Sequence, residues 1–157
     1  QAIVRVAAAR TLAQTSLTEM AITHLRGFAE EPNWDSVARC HAAWAMTELG
    51  VTDQSIQILK QIAQERQSDP WGQRNAAILL GRLGQVEDAK HLFLLLAKDA
   101  QNESMRGDVA MGLGNLGRSD QEVMTLLLEY AREDHEYVRN TAFDALQKLV
   151  GSFREDP

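Results

Sequence analysis

Ala29, Ala63, Ala97 and Ala131 fall 34 residues apart, and each opens a charged or polar pair: AEE, AQE, AKD and ARE. Self-similarity at a fixed period constrains the fold more than any other feature, because each unit is then a supersecondary element that buries its apolar face only by stacking on the next. A second frame runs through Arg5, Arg39, Gln73, Arg106 and Arg139, with Leu12, Met46, Leu80, Leu113 and Leu146 each seven residues later. Further apolar positions follow at Leu49, Leu83, Leu116 and Leu149, and Gly50, Gly84 and Gly117 come directly after the first three. Glycine reaches the left-handed conformation of a helix end at little cost, so these three positions predict turns.

Each unit therefore reads as helix, short glycine turn, helix, polar loop. Helices are expected near 2–13, 17–30, 34–49, 53–67, 70–83, 86–100, 104–116, 120–133 and 136–150, and no segment alternates with the period of two of a strand. Pro32 and Pro70 lie at inter-repeat boundaries. Asp53 and Asp120 open second helices, where a carboxylate accepts unpaired N–H groups. The fold class is all-α: an α-solenoid, expected as a right-handed superhelix of stacked antiparallel helix pairs. About four and a half repeats form one domain over 1–157, roughly 2–33, 34–68, 69–102, 103–135 and a partial 136–150.

Composition narrows the function. With 45% hydrophobic and 24% charged residues the chain is a folded one, and no apolar run reaches the roughly 18 residues of a membrane span. Cys40 is the single cysteine, which favours a cytoplasmic setting. The net charge of -6 speaks against nucleic acid as a partner, since that affinity comes from clustered Lys and Arg. The opening QAIVRVAAAR has neither an initiator Met nor a secretory layout, so a segment of a longer protein is expected. Nothing in the residues specifies an oligomeric state.

The units WDSVARCHAAWAMTELG, NESMRGDVAMGLGNLG and DHEYVRNTAFDALQKL resemble HEAT repeats, in particular the class described in phycobilisome lyases, with its Asp-x-x-Val-Arg start and Leu-Gly end. The tetratricopeptide family shares the period, but Gly81 and Gly84 are too close together for its pattern. The resemblance implies a ladder between loop Asp and following Arg, here Asp35 with Arg39 and Asp134 with Arg139, with Gln73 departing from it in the third unit. It also implies that second helices line a concave groove.

On a helical wheel of those second helices, Leu25, Leu59, Phe93 and Leu127, with Phe28, Ile62, Leu96 and Tyr130, form one apolar arc, which is core. The opposite arc varies. One row holds Thr23, Gln57, His91 and Thr125; the next Arg26, Lys60, Leu94 and Leu128; the third Gly27, Gln61, Leu95 and Glu129. The groove so predicted turns from polar and basic to apolar. Leu94, Leu95 and Leu128 would anchor a partner helix or peptide, or another domain of the parent chain, while Arg26 and Lys60 pair acidic groups. Alternatively, curvature tucks Leu94 or Leu128 against neighbouring second helices.

No constellation for catalysis emerges. HEAT-like hydroxylases hold two irons through several His-Glu dipeptides, whereas only His135 is followed by Glu here, and His24, His41 and His91 sit at other repeat phases. Cys40 and His41 are sequence neighbours and point about 100° apart on a helix. The glycines of GLGNLG fall within a helix, where close helix packing is their expected purpose. Trp34 and Trp71, near repeat junctions, are expected to plug the seams between units. The last unit lacks a second helix, so either Phe143, Leu146 and Phe153 cap it or the array continues. The resulting expectation is a non-catalytic interaction scaffold without metal or cofactor. The resemblance also admits a bilin lyase or chaperone-like subunit acting on a phycobiliprotein and, less well, a nucleic-acid-binding HEAT-like protein.

Overall fold

A computed structural model describes Ala7 and residues 17–65, 69–100 and 102–152. Apart from Ala7, the residues of the helix expected at 2–13, Arg5 and Leu12 among them, and Phe153 lie outside the described residues. Eight helices occur among the described residues: α1 (Thr18–Glu30), α2 (Ser36–Glu48), α3 (Thr52–Gln64), α4 (Pro70–Arg82), α5 (Val86–Asp99), α6 (Glu103–Leu116), α7 (Gln121–Tyr130) and α8 (Glu136–Ser152). Two compact units are distinguished, residues 1–84 with α1 to α4 and residues 85–157 with α5 to α8.

Local chemistry explains where the helices start and stop. Gly50, Gly84 and Gly117 all adopt positive φ, at 83°, 77° and 68°. After α2 the Gly50 N–H donates to Thr47 O and the Val51 N–H to Met46 O, both at 3.0 Å, which satisfies carbonyls the helix end would leave bare. Asp35, Asp69, Asn102 and Asp120 each accept a backbone N–H three residues on and cap α2, α4, α6 and α7. Pro70 follows its cap, where its missing N–H costs nothing. Asp53 does not cap. Val51 precedes α3, and Asp53 sits in the first turn, close enough to favour the helix dipole but without a capping bond. The second helices α3 and α7 also stop three residues sooner than expected, at Gln64 and Tyr130.

The first unit is held by Leu25 and Ala29 of α1, Ala42, Ala45 and Met46 of α2, Leu59 and Ile62 of α3, and Ala76 and Leu80 of α4, all buried. Alanines on the first helices let neighbours approach closely. In the second unit the same economy goes further. A Cβ at Gly112 would lie 2.3 Å from the Phe93 ring, one at Gly114 2.7 Å from the Ala145 Cα, and one at Gly107 2.2 Å from the Tyr137 ring. So Gly112 admits α5, while Gly107 and Gly114 admit α8, as expected for GLGNLG. Trp34 packs edge-on to Phe28 with centroids 5.5 Å apart, consistent with a seam plug. Trp71 does not plug a seam: it is 41% exposed, with the Arg74 guanidinium 5.7 Å from its ring centre.

The implied Asp–Arg ladder takes a different form. Asp35 is occupied with the Ala38 N–H, and Arg39 instead donates Nε to Ala29 O at 2.9 Å and its two Nη atoms to the Glu65 carboxylate, Nη2 at 2.8 Å. Arg106 repeats the pattern with Glu133 at 3.0 Å and with Ala100 O at 3.2 Å. In both cases the acid comes just after the second helix of the same pair, so the bridge closes a hairpin. Gln73 reaches Ala63 O at 3.5 Å, preserving only the backbone part. Arg139 binds the Glu133 and Asp134 carbonyls rather than the Asp134 carboxylate. Asp69, beyond capping α4, accepts the Ser36 hydroxyl at 2.8 Å and so ties the first turns of α2 and α4.

These bridges carry a pH dependence. Hydrogen bonding from Arg39 holds the Glu65 carboxyl below its ordinary 4.5, and Lys90 holds Asp120 below its ordinary 3.8. A depressed folded-state value contributes stability that is complete above the unfolded value and is lost as pH falls through the folded one. The urea midpoint is therefore expected to hold down to about pH 5 and to decline below about pH 4.5, and Glu65→Gln should flatten that decline. An unchanged acid slope in the variant would assign the effect elsewhere.

Candidate functional site

The apolar arc read from the second helices is core: Leu25, Leu59, Ile62, Phe93, Leu96, Leu127 and Tyr130 are buried, and Phe28 is half-buried. Of the opposite arc, Thr23, Gln57, His91 and Thr125 are exposed, as are Gly27, Gln61, Leu95 and Glu129. Arg26 and Lys60 are half-buried. Leu94 is only 9% exposed. It lines the groove that α5 and α7 border. Leu128, the corresponding residue on α7, is 45% exposed.

Within the second unit, α5 and α7 border a groove of about 630 Å³. From α5 come Leu94, Ala97 and Lys98; from α7 come Gln121, Glu122, Thr125, Leu126 and Glu129. Spacing puts them there. Lys90, Leu94 and Lys98 recur every four residues on α5, as do Gln121, Thr125 and Glu129 on α7, so each set forms a stripe along one helix face. The floor is apolar at Leu94, Ala97 and Leu126, and the rim carries Lys98 against Glu122 and Glu129. Of the ten residues expected to bind a partner, Leu94 and Thr125 meet in this groove. His91, Leu95 and Leu128 are outside its lining, and Thr23, Arg26, Gln57, Lys60 and Gln61 belong to the other unit.

A polar clamp holds one end of the α5–α7 pair. Lys90 Nζ reaches Asp120 at 2.8 Å and Glu87 at 2.9 Å, while Asp120 also caps α7 through the Val123 N–H at 3.1 Å. The hydrogen bond to Asp120 raises the Lys90 ammonium to about 12. Thr125 turns its hydroxyl back to Gln121 O at 2.8 Å, which leaves its methyl for the groove.

Lys98, Gln121, Glu122 and Leu126 were missed from the sequence. The signal was the four-residue spacing of Lys98 from Leu94 and of Gln121 from Thr125, with Glu122 and Leu126 on the next row, but a wheel does not say which flank of α7 turns to α5.

Other chemistry-bearing residues are dispersed. Cys40 is fully buried against Gly72 O at 3.6 Å, and desolvation pushes its thiol up to about 12. A thiol that stays protonated is a packing residue rather than a nucleophile. His135 is exposed in the loop before α8, and no three His, Cys, Asp or Glu side chains among the described residues are grouped to hold a metal ion. No helix among them is long and apolar enough to cross a membrane.

No curated protein and no solved structure matches the chain in comparison. A family model described as HEAT repeats matches residues 65–147, more than half of the 157. The all-helical build, the serial packing of neighbouring helices and the 34-residue period agree with that match: this chain is an α-solenoid and belongs to the HEAT-repeat family.

Proposed function

We propose that this chain is a non-catalytic scaffold whose α5–α7 groove holds a peptide segment of another protein, an apolar residue seated on the floor and a Lys or Arg beside it. HEAT repeats commonly serve as protein-interaction scaffolds. The carrying observation is the groove itself: about 630 Å³, apolar beneath and charged along the rim. That volume lies in the range of sites that bury a ligand of a few side chains. Two rim carboxylates, Glu122 and Glu129, against one ammonium, Lys98, favour a basic residue in the ligand. The exposed polar rows at Thr23, Gln57 and Gln61, with Arg26 and Lys60, give the first unit a more basic surface of its own, suited to an acidic segment.

The test is selection of peptides from a random display library on the folded protein. Enriched sequences should pair an apolar residue with Lys or Arg and should protect α5 and α7 amides from exchange. Thr125→Trp, which fills the groove from an exposed position, should weaken them at least tenfold, about 1.4 kcal/mol, without loss of helicity. Enriched peptides that bind Thr125→Trp equally well would remove the groove from consideration.

A further inference from the structure

Of the second helices, α7 buries the fewest residues. It has ten residues, fewer than any other helix among the described residues, and buries only Val123, Leu127 and Tyr130. By comparison α3 buries Ser55, Ile58, Leu59, Ile62 and Ala63, and α5 buries Ala89, Leu92, Phe93, Leu94 and Leu96. Spaced at i, i+4 and i+7, the three anchors of α7 form a single narrow stripe. Such a stripe resists separation from the core but not a tilt across it, because apolar contact has no preferred direction. The Tyr130 hydroxyl, buried at the end of the stripe, meets no hydrogen-bond partner among the described residues and adds no fixed direction either.

Polar bonds fix the two ends of α7 instead. Just past its last turn, Glu133 holds Arg106 of α6 at 3.0 Å. At its start, Asp120 divides its carboxylate. Oδ1 accepts the Val123 N–H at 3.1 Å and caps the helix, while Oδ2 accepts Lys90 Nζ of α5 at 2.8 Å. Glu87, one turn before Lys90, takes the same ammonium at 2.9 Å, and Arg118, on the way into α7, lies 3.6 Å from the other Glu87 oxygen. Charges of alternating sign therefore run from Arg118 through Glu87 and Lys90 to Asp120. Hydrogen bonding lifts Lys90 to about 12 and lowers Asp120, so each partner keeps the other charged. This clamp is not common to every repeat: in the first unit the corresponding places are Ile22 on α1 and Val51 before α3.

So α7 is tied to α6 at one end and to α5 at the other. The groove lies between α5 and α7, with Gln121 and Glu122 near the clamp and Glu129 at the opposite end of the helix. With the clamp open, α7 would swing about its Glu133 end, and the groove would widen first at Gln121 and Glu122.

We infer that Lys90 is the positioning residue of the α5–α7 groove: through Asp120 it fixes the distance of α7 from α5 and so selects which peptides enter. The selective role rests on that groove being the peptide site, whereas the clamp itself is measurable without any peptide.

Nitroxide labels on Leu95→Cys and Leu128→Cys, exposed positions outside the groove lining, report the α5–α7 distance by pulsed electron resonance, with the buried Cys40 left unlabelled. Lys90→Met keeps an unbranched chain of similar length without the charge. Asp120→Asn keeps the capping oxygen and replaces Oδ2 by an amide nitrogen that cannot accept from Lys90. Each should broaden the distance distribution toward longer values and leave helicity unchanged, and Lys90→Arg should restore the parent distribution. Peptides selected by display on the parent should bind either variant about fivefold more weakly, the scale of a part-exposed ion pair, and the two changes together should add little. A lowered urea midpoint with unchanged distances would make Lys90 a stabilising residue only and overturn the proposal. So would longer distances with the same peptides bound equally tightly. If no peptide is enriched on the parent, the peptide site falls and the selective role of Lys90 with it; unchanged distances beside enriched peptides sink the clamp alone.

Discussion

Gly114→Ala should be among the most damaging single-methyl additions to this protein, lowering stability by about 2–3 kcal/mol in urea titration. Three tendencies compete. Alanine improves helix propensity by roughly 1 kcal/mol over glycine. Against it, the added Cβ would lie 2.7 Å from Ala145 Cα and 2.6 Å from its Cβ, and neither can rotate away. The α6–α8 pair must then move apart along its whole contact, uncovering Val109, Ala142 and Leu149, which are now fully buried. Gly112→Ala should cost a similar amount, because the obstructing Phe93 ring is only 1% exposed and has nowhere to turn. Gly107→Ala should cost less, since Tyr137 is 41% exposed and can swing outward at the expense of its 3.0 Å bond to Asp108. Gly27, with no atom within 4 Å of its would-be Cβ, isolates propensity alone. Gly27→Ala should raise stability by about 0.5–1 kcal/mol. If Gly114→Ala also stabilised, the close approach of α6 and α8 would be wrong.

Arg39→Ala is the second large effect, expected at about 3 kcal/mol. The side chain is 4% exposed, its Nε serves a backbone carbonyl at the end of α1, and its two remaining nitrogens grip Glu65. Removal strands the Ala29 carbonyl in a buried place and leaves Glu65 without its partner. The loss stays at the lower end for a buried pair because Glu65 is 34% exposed and can recover water. Arg106→Ala should cost nearer 1 kcal/mol, since that pair is 21% and 27% exposed. Arg39→Gln should recover part of the loss by the bond that Gln73 makes to Ala63 O. Equal costs at Arg39 and Arg106 would show that burial does not set the strength of these bridges.

The two effects differ in how visible they were beforehand. The glycines of GLGNLG were legible as packing glycines, because a helix interior without a turn offers glycine no other advantage. The partner of Arg39 was not. Family resemblance pointed to Asp35, four residues away, but that carboxylate is drawn to the free N–H groups at the start of α2. Glu65, 26 residues on, comes within reach only after α2 and α3 fold back on each other. Leu94 shows the same divide: the wheel placed it opposite the core, and in the folded chain it is only 9% exposed.

By itself the amino-acid sequence determined the period, the helices, the left-handed glycine turns and the buried arc of each second helix, since all of these arise from dihedral preferences and from side-chain spacing within one helix. Tertiary structure alone decided which flank of α7 faces α5, which acid Arg39 holds, that Trp71 stays outside and that Phe143 and Leu128 remain uncovered. Those outcomes depend on distances between segments a whole repeat apart, and no local pattern encodes the angle at which one helix crosses the next.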